Sequence, residues 1–324
     1  MSQLLIGRAP VFLKALDLIQ RIARFDVPVV IEGETGTGKE LAARAVHYGS
    51  PRRDAAFVPI NCGAIPDTLI ESELFGHERG AFTDARSSLD GLVEVAHRGT
   101  LFLDEVDSLS PHAQVTLLRF LQDHRYRRIG GRVDRESDVR IVAASNRNLE
   151  ALAEAGTFRT DLLFRLKLLH VHLPPLRARA GDPTLLAHHF VEMLNARYRP
   201  EQKRVTPALA EWLEAQPWRG NVRELENFIH RRHLFTDSED IGPPDFDASP
   251  AETGLHEPTV TVNLNYRSAK ATALADFDRA YLRSLLARTS GNITAAAQLA
   301  SKERRALGRM IRKYGLRPDL FKKA

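Results

Sequence analysis

Cysteine is almost missing from this chain: Cys62 stands alone among 324 residues. An intrachain disulfide is therefore excluded, and the composition fits a reducing compartment, the cytoplasm. No apolar run approaches the roughly 20 residues that a membrane span requires. The first residues, MSQLLIGRAPVFLK, lack the basic start, apolar stretch and small-residue cleavage site of a secretion signal. Long internal repeats and extended low-complexity tracts are also missing. What remains is ordinary for a soluble globular chain, with 43% hydrophobic and 27% charged residues and length for two or three domains.

Charge is unevenly placed. Residues 265–324 hold 14 Lys/Arg and 4 Asp/Glu, a net of +10, which leaves −5 on the first 264 residues of a chain whose total is +5. A basic segment on an acidic body points to nucleic-acid contact at the C-terminus alone; a solvated charged helix is the bland alternative. Upstream, five apolar runs alternate with helical patterns: VPVVI (27–31), FVPI (57–60), TLFL (100–103), VRIVAA (139–144) and LLHVHL (168–173). Their continuous apolar character predicts parallel strands covered on both faces, an α/β sheet. From Asp182 to about Arg232 the pattern is helical only, with Thr206-Pro207 and Asn221 as expected helix starts. Residues 236–266 are rich in Pro, Asp, Ser and Thr and read as a linker; helical periodicity returns from Arg267.

Three strand ends carry chemistry. GETGTGKE (33–40) follows the first strand and precedes a helical run. Gly33, Gly36 and Gly38, with Glu34, Thr35 and Thr37 between them, form a loop whose N–H groups can cradle phosphate, and Lys39 can reach its oxygens. Glu40 stands where a magnesium-ligating hydroxyl is usual, so a chance glycine-rich turn is the alternative. GTLFLDEVD (99–107) ends a buried strand in two acids, of which Asp104 can hold magnesium and Glu105 can orient and polarise water; solvated strand-end acids are the alternative. VRIVAASN (139–146) ends in Asn146, a γ-phosphate contact or an ordinary turn former.

Several other residues stand out. In FRTDLLFRL (158–166), Arg159 and Arg165 are either surface charge or arginines that reach a neighbouring subunit's phosphates. Arg223, in the first turn after Asn221, opposes the helix dipole; it awaits an anion or pairs with Glu226. In ERGAFTDAR (78–86), Phe82 is the single large apolar side chain of a polar loop, either an anchor in the chain's own core or a grip for another protein.

Together these motifs closely resemble the bacterial enhancer-binding proteins, the NtrC-like AAA+ activators of sigma-54 RNA polymerase. NCGAIPDTLIESELFGHERGAFTDA, GTLFLDEV, LLRFLQDHRYRRIGG, FRTDLLFRL, LPPLRAR and PWRGNVRELEN match the family's signatures in order, and Glu after the phosphate-loop lysine is usual there. The resemblance implies an α/β AAA+ P-loop NTPase with a parallel sheet (1–173), a helical lid subdomain (174–238), a linker (239–266) and an all-α Fis-like helix-turn-helix domain (267–324). It implies ATP and Mg2+ as cofactors. It also implies a homo-oligomer, a hexameric ring, or a dimer when inactive. Lys39, Asp104 and Glu105 would act in cis, Asn61 would restrain Glu105, Asn146 and Arg223 would be the two sensors, and Arg159 and Arg165 the fingers from the next subunit. Phe82 and Thr83 would touch sigma-54. Asp84 departs from the family's GAFTGA, where glycine stands. The alternative is accordingly a DNA-binding regulator that does not engage sigma-54.

Residues 291–316 resemble the family's DNA-binding helix-turn-helix. Ala295, Ala296 and Ala297 would permit close packing, and Leu299, Leu307 and Ile311 would form its apolar face. Arg304, Arg305, Arg309, Arg312 and Lys313 would meet phosphates and bases of double-stranded DNA upstream of promoters. Ser301, Lys302 and Gly308 depart from the usual pattern. Residues 276–289 are expected to form a dimerising helix. Most relatives carry a regulatory domain before the ATPase. Here the phosphate loop begins after 32 residues, and the expectation is constitutive competence or control by a protein regulator acting in trans.

Overall fold

The structure is a computed structural model. It describes residues 5–82, 85, 87–198, 202–244, 282, 285, 286, 289, 292–300 and 304–313. These fall into two units, one up to Asp245 and one from Phe246 onward.

In the first unit, all five apolar runs become strands of one sheet: β1 Val29–Glu32, β2 Phe57–Asn61, β3 Thr100–Asp104, β4 Arg140–Ser145 and β5 Leu169–His172. The order is β2-β3-β4-β1-β5, with every pairing parallel. Pro59 lies within β2, which is tolerated because β2 is an edge strand with one free side.

Alternation along the strands divides the core into two layers. Val30, Leu101, Leu103, Ile141 and Ala143 join one cluster, which the helices Asp67–Phe75, Pro111–Asp123 and Thr160–Leu166 cover through Ile70, Leu117 and Leu162. Val29, Ile31, Phe102, Val142, Ala144 and Val171 face the other way, under Ile19 of the helix Pro10–Ala23 and Val46 of the helix Lys39–Tyr48. Both faces are thus buried, and the polar strand ends gather along one edge. There the register sets Asn61 beside Asp104, and Glu32 beside Ser145 and His172.

The lid is built from the helices Asp182–Arg197, Pro207–Glu214 and Asn221–Phe235. Leu186, Phe190, Leu209, Trp218, Leu225 and Ile229 form its core. Thr206 caps its helix as expected, accepting the Leu209 N–H at 3.2 Å with Pro207 in the first turn. The lid runs past the expected boundary at residue 238. Asp240–Ile241 pairs in parallel with Arg204–Val205, and Ile241 is fully buried in the lid core, so its burial ties the start of the expected linker to the lid.

In the second unit the helices Ile293–Leu299 and Arg304–Lys313 pack together. Ala296, Ala297, Leu307 and Ile311 share a core with Leu282, Leu285 and Leu286. Leu299 corrects the expected apolar face: it is 62% exposed, and the smaller Ala296 and Ala297 take the core positions. Asn292 caps the first of these helices, accepting N–H groups of Thr294 and Ala295. Gly308 sits inside the second, with open space where a β-carbon would stand. Ser301, Lys302, most of residues 239–266 and most of 276–289 lie outside the described residues.

Candidate functional site

The loop between β1 and the helix Lys39–Tyr48 turns on Gly36 and Gly38, at φ 80° and 97°. Both values favour glycine, because a β-carbon would crowd the backbone. The turn leaves N–H groups at the helix start facing outward, with the positive end of the helix dipole behind them. Lys39 donates from Nζ to the carbonyls of Gly33 (2.8 Å) and Glu34 (3.2 Å). Thr37 Oγ1 donates to the Glu34 carbonyl at 2.8 Å. Glu40 is exposed and accepts from Arg44.

Across from this loop, β3 delivers Asp104 and Glu105. Asp104 accepts the Glu105 N–H at 3.0 Å, and Glu105 adopts φ 53°, a strained conformation for a residue with a β-carbon. Gly63 makes room for its side chain: a β-carbon there would stand 2.5 Å from Glu105 Oε2. Burial pushes the Lys39 pKa down, opposed by the charges of Asp104, Asp107 and Glu105. Burial pushes the Asp104 carboxyl up. Both groups are therefore desolvated, a state that an incoming anion and cation would relieve.

Gly36, Thr37, Lys39, Glu40, Asp104, Glu105 and Arg223 line one cavity of about 880 Å3. Its far end is apolar, formed by Leu5, Ile6, Leu186, Phe190 and Met193. A polar, N–H-rich end joined to an apolar end matches a phosphate-bearing ligand with a flat hydrophobic group. The apolar end is fixed by Arg179. Its guanidinium donates to Asp182 (2.8 Å) and the Ile6 carbonyl (2.8 Å) and lies 3.6 Å from the Phe12 ring centroid. Asp182 in turn accepts N–H groups of Arg8 and Ala9. Sequence reasoning missed this pair, because a charged pair carries no local signal of burial.

Asn221 starts its helix as expected, but its amide does not cap that helix. It is the first helical residue, at φ 54°, and its side chain makes no cap bond. Fully buried, it accepts the Leu176 N–H at 2.7 Å and donates to the Thr35 carbonyl (3.0 Å) and the Glu34 carboxylate (3.2 Å). The Val222 N–H adds a bond to the Gly36 carbonyl, and Arg177 pairs with Glu34 at 2.5 Å. Arg177 first, then Asn221, hold the Glu34 carboxyl at a pKa of about 2 against its burial. The lid is thereby bonded directly to the phosphate loop. Arg223, two residues on, has no ion pair among the described residues and lines the cavity.

Of the residues expected at the nucleotide site, Gly33, Glu34, Asn61, Asn146, Arg159 and Arg165 do not line that cavity. Asn61 Oδ1 accepts the N–H groups of Gly63 and Ala64, and no hydrogen bond joins it to Glu105 among the described residues. Asn146 is exposed at the end of β4. Arg159 pairs with Asp161 at 2.7 Å, and Arg165 donates to the carbonyls of Leu121 and Gln122. Phe82 is 38% exposed, with its ring edge-on to His77 at 4.9 Å. It is neither a core anchor nor fully free. Thr83 and Asp84 lie outside the described residues. In the second unit, Arg304, Arg305, Arg309 and Arg312 are exposed on the helix whose other face buries Leu307 and Ile311.

Residues 5–172 match the sigma-54 interaction domain, and residues 177–262 match the AAA+ ATPase lid domain. The chain belongs to the sigma-54 interaction domain family. It is 40% identical over 303 residues to regulatory protein AtoC of Escherichia coli (strain K12), covering 92% of this chain and 65% of that protein. It is 41% identical over 306 residues to the hydrogenase transcriptional regulatory protein HoxA of Bradyrhizobium diazoefficiens, covering 94% and 63%. The chain thus spans less than two thirds of the length of these relatives. The crystal structure of NtrX from Brucella abortus in complex with ATP superposes with a TM-score of 0.71 at 33% identity, covering 96% of this chain and 69% of that one. The AAA+ architecture of a phosphate-binding parallel sheet and a helical lid is therefore the family's, and the domain is an ATPase domain. No helix among the described residues is long and apolar enough to cross a membrane.

Proposed function

We propose that this chain is a cytoplasmic, sigma-54-dependent transcriptional activator. It binds DNA upstream of promoters, assembles into an AAA+ ring, a hexamer, and uses ATP hydrolysis to remodel the RNA polymerase closed complex. One observation carries the reading. Lys39, Asp104, Glu105 and Arg223 share one cavity, whereas Arg159 and Arg165 stand outside it with Phe164 exposed between them. A site built this way is completed by a second copy.

In this reading the loop N–H groups cradle the ATP phosphates, and Lys39 exchanges the Gly33 and Glu34 carbonyls for phosphate oxygens. Asp104, desolvated and facing the same cavity, is the residue that would hold Mg2+, which when bound spreads the phosphate charge. Glu105 orients water for attack on the γ-phosphorus and takes its proton, leaving ADP and phosphate. Arg223 and Asn146 sense the γ-phosphate, Asn61 restrains Glu105, and the neighbour's Arg159 and Arg165 neutralise charge as the bond breaks. Phe82 and Thr83 grip sigma-54. Arg304, Arg305, Arg309 and Arg312 of a helix-turn-helix meet DNA, and changing Arg304 and Arg305 to Ala is expected to weaken DNA binding while leaving ATPase intact.

The test is binding of the purified protein to sigma-54 with and without ADP–aluminium fluoride, beside Phe82→Ala. Analogue-dependent binding that disappears in the variant supports the reading. Intact ATPase without sigma-54 binding overturns the polymerase contact and leaves a DNA-binding regulator of another class, as Asp84 in the loop would then explain.

A further inference from the structure

Glu32 ends β1 and directly precedes the phosphate loop, yet it lines no part of the cavity. Its carboxylate is buried and collects donors from three other elements. Oε1 accepts the Lys167 ammonium at 3.0 Å and the Leu149 N–H at 3.3 Å, and Oε2 meets His170 Nε2 at 3.0 Å. Lys167 also pairs with Glu150 at 2.5 Å. Burial would raise the Glu32 pKa, but the bonds from His170, Lys167 and Leu149 hold it at about 2, so the group is an anion.

The places of these donors matter more than their number. Leu149 opens the helix that follows Asn146, three residues downstream. Lys167 closes the helix Thr160–Leu166, two residues past Arg165. His170 lies on β5. A well-packed apolar side chain would hold these elements together at less desolvation cost; what a buried ion adds is a fixed direction for each donor. Here the directions run from the phosphate-loop strand to the sensor turn and to the exit of the arginine helix.

We propose that Glu32, with Lys167 and His170, is a positioning network that couples the strand entering the phosphate loop to the helix bearing Arg159 and Arg165. The state of one subunit's nucleotide site is thereby carried to the arginines it lends its neighbour. This rests on the reading that those arginines act in trans.

Mixed assemblies test it. A donor chain with Glu105→Gln keeps its arginines and its phosphate loop, so it can bind ATP but cannot turn it over. An acceptor chain with Arg159→Ala and Arg165→Ala keeps its nucleotide site but lacks fingers. Their mixture is expected to regain ATPase activity. Lys167→Met is then placed on one chain at a time. On the donor it is expected to lower the restored kcat roughly 10- to 100-fold, the scale of a misplaced catalytic group, with KM for ATP nearly unchanged. Lys167→Arg on the donor is expected to recover most of that loss. On the acceptor Lys167→Met is expected to leave the restored activity largely intact, which also shows that the variant folds. Equal loss on either chain, or none on the donor, overturns the coupling. No activity in the parent mixture overturns the trans reading itself, and the coupling with it.

Discussion

Asn221→Ala tests the bond between lid and phosphate loop. The side chain is fully buried and serves two elements at once. Its loss strands the Leu176 N–H, on a residue that is itself 1% exposed, at about 2 kcal/mol for a buried unsatisfied group. The Thr35 carbonyl belongs to an exposed residue and can turn to water, so it adds little. Alanine must also adopt φ near 54°, which asparagine tolerates better, at about 1 kcal/mol. The expected destabilisation of the lid is therefore about 3 kcal/mol. Asn221→Gly removes the backbone term and is expected to cost about 2 kcal/mol. Both tryptophans of the chain, Trp212 and Trp218, pack in the lid, Trp218 in its buried core, so their fluorescence in urea reports this transition. A cost below about 1 kcal/mol for alanine would show that the amide does not hold the lid, since one orphaned buried N–H alone exceeds it. An alanine no worse than glycine would refute the backbone part.

Three further outcomes are expected. Lys39→Ala abolishes ATP binding or turnover in a coupled ATPase assay; normal activity would remove the nucleotide-site assignment. Gly36→Ala places a β-carbon 2.2 Å from the Gly220 carbonyl at φ 80°, so the lid cannot close on the loop, and nucleotide affinity by calorimetry falls at least about tenfold. Because the Glu32 pKa falls from 4.5 to about 2 on folding, its stabilisation is complete above pH 4.5 and is lost as pH drops toward 2. Tm measured across that window should therefore fall more steeply in the wild type than in Glu32→Gln, and parallel curves would contradict the buried anion.

Some of this protein was legible in the residues themselves. Five apolar runs specified five parallel strands, because a strand buried on both faces needs apolar side chains at every position. The phosphate loop and the Asp104-Glu105 pair were equally plain, since glycines and strand-end acids are local signals of a cradle and a catalytic edge. The strand order was not local. Only the folded sheet sets Asn61 against Asp104 and brings Glu32 beside His172. Asn221 shows the limit most clearly: before a helical run an asparagine reads as a cap, and only the approach of Thr35 and Leu176, 186 and 45 residues away in the chain, turns its amide into a clasp. Arg179 and Asp182, and the knot around Glu32, were invisible for the same reason. Burial of a charge depends on partners that arrive from elsewhere in the chain, and sequence patterns record neighbours along the chain, not across it.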